Sequence, residues 1–343
     1  MQQTANAVAH QKRPSLADIA ERAGVSISTA SKVANGQADV APETRRRVEE
    51  ILKESQYVSV KRRNRPQQLS VALLVRPSTW QYTIEVISGA TVAAEAADVE
   101  LRLTSYAEDG ADSSWIDTLV DKNPSGVIAV TSVLNEEERR RFADMSIPLV
   151  VVDPFNVPDQ LTQSVGATNW NGGLEATEHL LRLGHVRVGM LVGDKDALAS
   201  RARAHGYVAA LSGAGISVDR DLMIDGEFTF ESGIQGADIL LNLTDAPTAI
   251  FAASDLQALG VIEAARRRRI RVPEELSVVG FDDLLIARSS SPPLTTVRQP
   301  LAEMAQTALR MILATINGDS IDNHHTELAT TLVIRDSTAP PHK

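Results

Sequence analysis

Hydrophobic and polar positions in this chain follow two periods in alternation. Short, nearly continuous apolar runs predict buried strands: SVALLVR (70–76), GVIAV (126–130), PLVVVD (148–153), VRVGMLV (186–192), TAIFAA (248–253) and LSVVGF (276–281). VELRLTSY (99–106) and a stretch near 222–225 predict further, more polar strands. Between these lie segments with apolar residues at helical spacing, at 83–97, 112–122, 135–145, 171–183, 199–213, 231–242, 255–268 and 299–316. TELATTLVIRDS predicts a last strand. Strands that are apolar throughout, separated by helices, imply parallel sheets covered on both faces. There are too many strands for one ordinary sheet, so two doubly wound subdomains are expected. A ligand would sit where the strand carboxyl ends meet, in the crevice between them.

The first part of the chain is patterned differently. In LADIAERAGVSISTASKVAN (16–35), Leu16, Ile19, Ala20 and Ala23 share one helix face, and Gly24 follows as a left-handed C-terminal residue. Ser26 suits the N-cap of a second helix, whose apolar side is Ala30, Val33 and Ala34. Small residues at 20, 23 and 30 allow a close crossing. A third helix runs from Pro42 to Ser55, with Val48, Ile51 and Leu52 as its stripe. This is the layout of a helix-turn-helix unit, whose second helix enters a DNA major groove; the plain alternative is a helical hairpin. Ile27, Ser28, Thr29 and Lys32 point off the apolar face near the start of that second helix, where base-reading side chains sit, with Leu16 and Asn35 at the ends of the stretch. Ser15, Ser26 and Ser31 are placed to hold phosphates.

Charge sharpens the division. The net charge of −10 conceals 12 Lys+Arg against 7 Asp+Glu in residues 1–65 and 22 against 37 thereafter. A basic head on an acidic body confines polyanion binding to the head. Residues 58–70 read as a linker, and its run Lys61, Arg62, Arg63, Arg65 follows the DNA-binding unit directly, as a basic arm for phosphates or a minor groove. The absence of cysteine removes disulfides and thiolate metal sites and suits a reducing cytoplasm. No apolar run is long enough for a membrane span, the polar stretch 1–13 lacks the form of a secretion signal, and none of the seven histidines has metal-ligand spacing.

The pattern LADIAERAGVS, then AS-K-V and Asn35, then V-(one residue)-PETRRRV and Tyr57, resembles the DNA-binding head of the lactose-repressor/galactose-repressor (LacI/GalR) family of bacterial transcription regulators. The similarity extends through SVGATNWNGGLEATEHLLRLGH, SRARAHGYVAAL, PTAIFAASDLQALGVIEAARRR, VPEELSVVGFDDL and PPLTTVRQP, so it covers residues 14–337. It implies an α/β fold: a three-helix head at 14–57, a hinge at 58–70, and an effector body at 71–337 resembling periplasmic sugar-binding proteins. Within the body it implies an N-subdomain of about 71–167 and 299–324, and a C-subdomain of 168–298 and 325–337. Residues 1–13 and 338–343 would be tails. It also implies a homodimer on near-palindromic operator DNA. The family's hinge proline, asparagine and leucine are here replaced, at Ser59, Val60 and Pro66, so the segment is read as a basic arm instead of a leucine lever. Lys32 stands where relatives carry arginine, which exchanges a fork for a point contact.

Asp153, Asp282, Ser254 and Asp255 all follow predicted strands, where the crevice should lie, and Arg203 starts a helix facing it. Carboxylates and a guanidinium make paired hydrogen bonds to adjacent hydroxyls, and aromatic rings cover the C–H faces of a sugar. By the resemblance, Asp153, Arg203, Ser254, Asp282 and Phe228 contact effector, with serine at 254 in place of a frequent asparagine. With aromatic residues at only 4%, the loop aromatics Trp80, Tyr82 and Trp170 join the candidates for ligand stacking. Asp255 and Asp283 read equally well as helix caps or structural partners. The motifs SVGATNW and SDLQALG resemble those of actinobacterial regulators of plant-polysaccharide use, implying a pentose or xylan-derived effector. The expected function is a sugar-relieved repressor. A purine-like or phosphorylated corepressor and a solute-binding protein are the alternatives. No P-loop, Rossmann, nucleophile-elbow or zinc-protease motif supports a catalytic site or a cofactor.

Overall fold

The computed structural model describes residues 16–34, 40–54, 68–76, 80–105, 114–131, 134–157, 162–319 and 323–342. The chain divides into two units, residues 1–68 and 69–343. In the first, α1 (Leu16–Ala23), α2 (Ile27–Ala34) and α3 (Pro42–Glu54) enclose Ile19, Ala23, Val33 and Val48. Gly24 has φ +65°, and the open space around it means that the backbone conformation, not crowding, selects glycine. The Val25 amide then closes back on the Ala20 carbonyl at 3.0 Å, so the turn is fixed by the chain itself.

The second unit holds two six-stranded sheets. The first contains β1 (Ser70–Val75), β2 (Glu100–Ser105), β3 (Gly126–Val130), β4 (Leu149–Val152), β5 (Gln163–Ala167) and, far along the chain, β11 (His325–Leu328). Its order is β11-β5-β4-β3-β1-β2, and every pairing is parallel. The second contains β6 (Val188–Leu191), β7 (Met223–Ile224), β8 (Ala249–Ala252), β9 (Ser277–Asp282), β10 (Thr295–Arg298) and β12 (Thr331–Val333), in the order β12-β10-β9-β8-β6-β7. Only β12 runs antiparallel, against β10. β1, β3, β6, β8 and β9 are buried along their whole length, as their continuous apolar runs require.

The chain crosses between sheets three times: after β5, after β10 and between β11 and β12. The last crossing corrects the expected boundary. Residues 325–328 pair with β5 in the first sheet, so the C-subdomain resumes only at Thr331, not at 325. The single strand predicted from TELATTLVIRDS is therefore two, broken at Ala329–Thr330, where the Thr330 amide bonds the Thr168 hydroxyl at 2.9 Å beside the first crossing. Nor are residues 338–339 a loose tail. Thr338 bonds His179, and the Ala339 carbonyl accepts from Ser277 and His185.

Helix α4 (Trp80–Ala96) and the late helix α12 (Leu301–Asn317) cover the first sheet together. A Cβ at Gly89 would lie 2.3 Å from the Ala302 carbonyl, so that glycine sets how closely the two helices approach. In the second subdomain, α7 (Asn169–Arg182) and α8 (Leu198–Gly213) approach in the same way, through Gly173 against the Arg203 backbone and Gly206 against the Trp170 carbonyl.

Candidate functional site

Four side chains from the two subdomains converge where the strand carboxyl ends face each other. From the first, Asp153 follows β4 and accepts a hydrogen bond from the Tyr82 hydroxyl of α4 at 3.0 Å. From the second, Arg203 on α8 approaches Asp282 at the end of β9, Nη1 to Oδ1 3.8 Å. The charges of Asp282 and Arg203 both act on the Tyr82 hydroxyl, and that of Arg203 acts on Asp153, so the four groups form one cluster. A backbone bond from the Leu198 amide to the Phe155 carbonyl, 2.7 Å, also spans it.

Arg203 is 3% exposed. Its Nε donates to Asn169 Oδ1 at 2.8 Å, its Nη1 to the Ala253 carbonyl at 2.5 Å, and its guanidinium carbon lies 3.7 Å from the centre of the Phe281 ring. Phe228, half-buried, lies 5.7 Å from the same guanidinium and presses on Gly193, where a Cβ would meet the ring at 2.2 Å. Asp282 accepts from Gln299 Nε2 at 2.7 Å. Burial pushes its carboxyl up to about 7 against the pull of Arg203, and burial raises Asp153 and Tyr82 too. The four converging side chains thus carry two carboxyls and one cation, and a second cation, Arg76, donates to the Thr131 carbonyl at 3.2 Å. At the rim of the site Glu227 is also raised, by burial and by Asp194, against the opposing charge of Arg76 from the end of β1. A cavity of about 610 Å³ opens there among Asp194, Asp196, Asp225, Glu227 and Thr229.

Four of the eight non-glycine residues with positive φ among the described residues lie at strand carboxyl ends: Thr131, Asp153, Asp282 and Asp283, with φ of 45°, 52°, 118° and 58°. Non-glycine residues there cost on the order of 1–3 kcal/mol each, and such strain gathers at functional sites. The Thr131, Ser200 and Gln299 side chains each hold a buried oxygen without a partner within the described residues. Such oxygens can accept hydrogen bonds from a hydroxylated ligand.

Several expectations change. Ser254, not Asp255, caps the next helix, α10 (Asp255–Arg267): its Oγ accepts from the Gln257 amide at 3.2 Å. Asp255, fully buried, instead accepts from the Thr296 hydroxyl at 2.5 Å and the Leu284 amide at 2.8 Å. Asp283 is structural, held by Arg298, Arg288 and Arg335, whose charges and hydrogen bonds keep it below its usual range despite burial. Tyr82 and Trp170 lie within helices, not in loops. Trp170 is 44% exposed, while its neighbour Asn169 turns inward to Arg203. Trp80 opens α4, and its side chain falls outside the described residues. Asn169, Phe281, Gln299, Ser200 and Thr131 were not singled out in the sequence, although all but Thr131 stand in the motifs that carry the family resemblance.

In the head, Ser26 Oγ accepts from the Thr29 amide at 3.0 Å and pairs with the Thr29 hydroxyl at 2.8 Å, so both groups help start α2. Ile27 is 56% exposed, a large apolar side chain in solvent. Ser28, Ser31 and Lys32 follow on the same helix, and Leu16 opens α1. Ser15, Asn35, Lys61, Arg62, Arg63 and Arg65 lie outside the described residues.

A helix-turn-helix head joined to a two-sheet body with a polar cleft defines a DNA-binding regulator that carries an effector domain. Comparison with known proteins agrees. Residues 15–59 match the family of bacterial regulatory proteins, lacI family, and residues 177–338 match a periplasmic binding protein-like domain. The transcriptional regulator DegA of Bacillus subtilis (strain 168) is 31% identical, covering 94% of this chain and 97% of its own. The regulator CelR of Thermobifida fusca is 31% identical over 95% and 99%. Among solved structures, a CelR–cellobiose complex superposes with a TM-score of 0.73 at 30% identity, covering 95% of this chain and 100% of its own. A lac repressor dimer bound to operator and the anti-inducer ONPF does so at 0.73 and 26%, covering 96% and 100%. The chain belongs to the lacI family of bacterial transcription regulators. Among the described residues no helix is long and apolar enough to cross a membrane.

Proposed function

We propose that this protein is a cytoplasmic, non-catalytic repressor whose operator binding is relieved by a small uncharged sugar held between the two sheets. The observation that carries this reading is the meeting of Tyr82 and Asp153 with Arg203 and Asp282 across the cleft. Carboxylates and a guanidinium bind vicinal hydroxyls in pairs, and Phe228, with the candidates Trp80 and Trp170, would offer rings for the sugar's C–H face. Ser254 keeps a hydroxyl proton to donate beyond its cap. With Asp153 and Asp282 both in the site, an added phosphate or uronate would meet carboxylate repulsion, which favours a neutral saccharide over a phosphorylated or acidic ligand. The cellobiose-bound relative supports a short saccharide, and a pentose or xylan-derived sugar is the narrower choice.

On DNA, two copies would set their α2 helices in successive major grooves. Ile27 would meet a thymine methyl, while Ser28, Thr29 and Lys32, flanked by Leu16 and Asn35, read base edges. Ser15, Ser26, Ser31 and the arm Lys61, Arg62, Arg63, Arg65 would hold phosphates. A homodimer is supported by the dimeric lac repressor neighbour and by apolar side chains left exposed at Ile84 and Val92 of α4 and Leu103 of edge strand β2.

The test is tryptophan fluorescence of the protein against neutral mono- and oligosaccharides, sugar phosphates and purines, repeated with DNA from upstream of its own gene. One neutral sugar should give a saturable change and release the DNA. A response confined to phosphates or purines would replace the effector class, and a ligand that tightens DNA binding would reverse the sign.

A further inference from the structure

The chain that leaves β9 is fastened to both subdomains within a few residues. Asp282 faces the cleft. Asp283, next to it, is locked into the second subdomain by Arg288, Arg298 and Arg335. Leu284, one residue further, is 4% exposed and packs into the core of the first subdomain, the cluster of Val71, Val86, Leu301 and Met304. Ile286 lies against that same core, whereas Ala287 belongs to the core of the second. The short helix Leu285–Ser289 therefore has one side in each subdomain. Beneath it, the Asp255 carboxyl of the second subdomain holds the Leu284 amide at 2.8 Å and the Thr296 hydroxyl at 2.5 Å, while its backbone amide bonds Asp282.

We propose that Leu284 and Ile286, held by the Asp255 carboxylate, are the positioning residues that convert effector contact at Asp282 into movement of the first subdomain. The physical basis is stiffness. Positive φ at both Asp282 and Asp283 leaves the two-residue link little conformational freedom, and the three arginines remove the rest. A shift of Asp282 toward a ligand is then passed to Leu284. Leu284 cannot move within a close-packed core without moving its neighbours, among them Leu301 and Met304 at the start of α12. Ligand binding alone needs none of this, so coupling and affinity should separate. The proposal rests on the sugar-switched reading for its ligand, and its test is built to stand apart from that reading.

The first arm needs no effector. Amide hydrogen exchange is compared between the full-length protein and Asp255→Asn, which cannot accept from both Leu284 and Thr296. Exchange should quicken about tenfold or more at 282–286 and also in the first turn of α12, in the other subdomain. Acceleration confined to the second subdomain overturns the proposal. The second arm measures operator affinity with and without saturating effector. In Leu284→Ala the ratio between the two should shrink about tenfold, while effector affinity and effector-free operator affinity stay within about threefold. Leu284→Met should restore the ratio. Should Leu284→Ala not fold, half-buried Ile286→Ala carries the same comparison. A full operator response, or a loss of effector affinity equal to the loss of coupling, overturns the proposal. If the wild-type protein answers to no sugar while the exchange result holds, it is the sugar reading that fails.

Discussion

The Arg203 guanidinium carbon lies over the Phe281 ring, 3.7 Å from its centre, with Nε bonded to Asn169 and Nη1 to Ala253. This orients the guanidinium before any ligand arrives, which lowers the ordering cost of binding. Replacing Arg203 with Ala should weaken effector binding about 100-fold, the worth of two charge-assisted bonds, and leave effector-free operator binding intact. Lysine, without a planar fork, should recover little. Calorimetric titration and a gel shift read the two effects separately; an undiminished effector affinity would remove Arg203 from the site.

Arg203 is held in place by the glycine opposite it. A Cβ at position 173 would lie 2.3 Å from the Arg203 carbonyl, and both are backbone-locked in helices. Gly173→Ala must push α7 and α8 apart. It should cost about 2–3 kcal/mol or more by overpacking and lower effector affinity as well, seen as a fall in Tm together with a raised Kd. Gly213→Ala, on the same helix with nothing within 4 Å, is the control and should be neutral or slightly stabilising.

Burial places the Asp282 carboxyl at about 7, far above its unfolded value of 3.8. Between these values the native state holds a proton that the unfolded chain has released. The associated stability is fully present below 3.8 and is lost as pH rises through about 7. Asp153 and Asp255 are shifted the same way. His179 and His185 are shifted below 6.5 by burial and contribute the opposite slope, but only at or below that value. Above the range of the histidines, thermal unfolding should therefore show Tm still falling up to about pH 7 and levelling off beyond it, and Asp282→Asn should flatten that fall. An unchanged slope in the variant would assign the titration to another group.

Ser337 secures the C-terminal strap. Its hydroxyl donates to the Val278 carbonyl at 2.6 Å and accepts from the Thr295 amide at 2.8 Å, all buried. Alanine leaves two backbone groups of the second sheet unsatisfied, a cost of about 2–4 kcal/mol. Chemical denaturation should register it as a lower midpoint with the slope unchanged.

In the head, Thr29→Ala combined with Lys32→Ala should abolish discrimination between operator and random DNA, while effector-induced fluorescence changes persist. Non-specific binding should remain salt-dependent, because the phosphate contacts are retained. Loss of the effector response in the same variant would mean that the head supports the body's fold.

What the sequence determined was whatever depends on near neighbours. Continuous apolar runs are buried strands because both faces are covered, and a Gly24 with no crowding around it marks a turn that any reader of local chemistry can place. The family motifs marked Asp153, Arg203 and Asp282, which the structure brings together. Two strands escaped notice: QSVGA (β5) and TTVR (β10) are short and partly polar, and gain their strand character from partners on both sides. Only the tertiary structure could put β11 in the first sheet, since its residues resemble those of β12 and the choice between sheets is made by pairing with Gln163–Ala167. It alone exchanged the roles of Ser254 and Asp255. Either can cap a helix; which one does was decided by the buried donors Thr296 and Leu284, 41 and 29 residues away, that claim the Asp255 carboxylate. Periodicity is a local property of a chain, whereas the satisfaction of a buried polar group is settled by whatever the fold brings beside it.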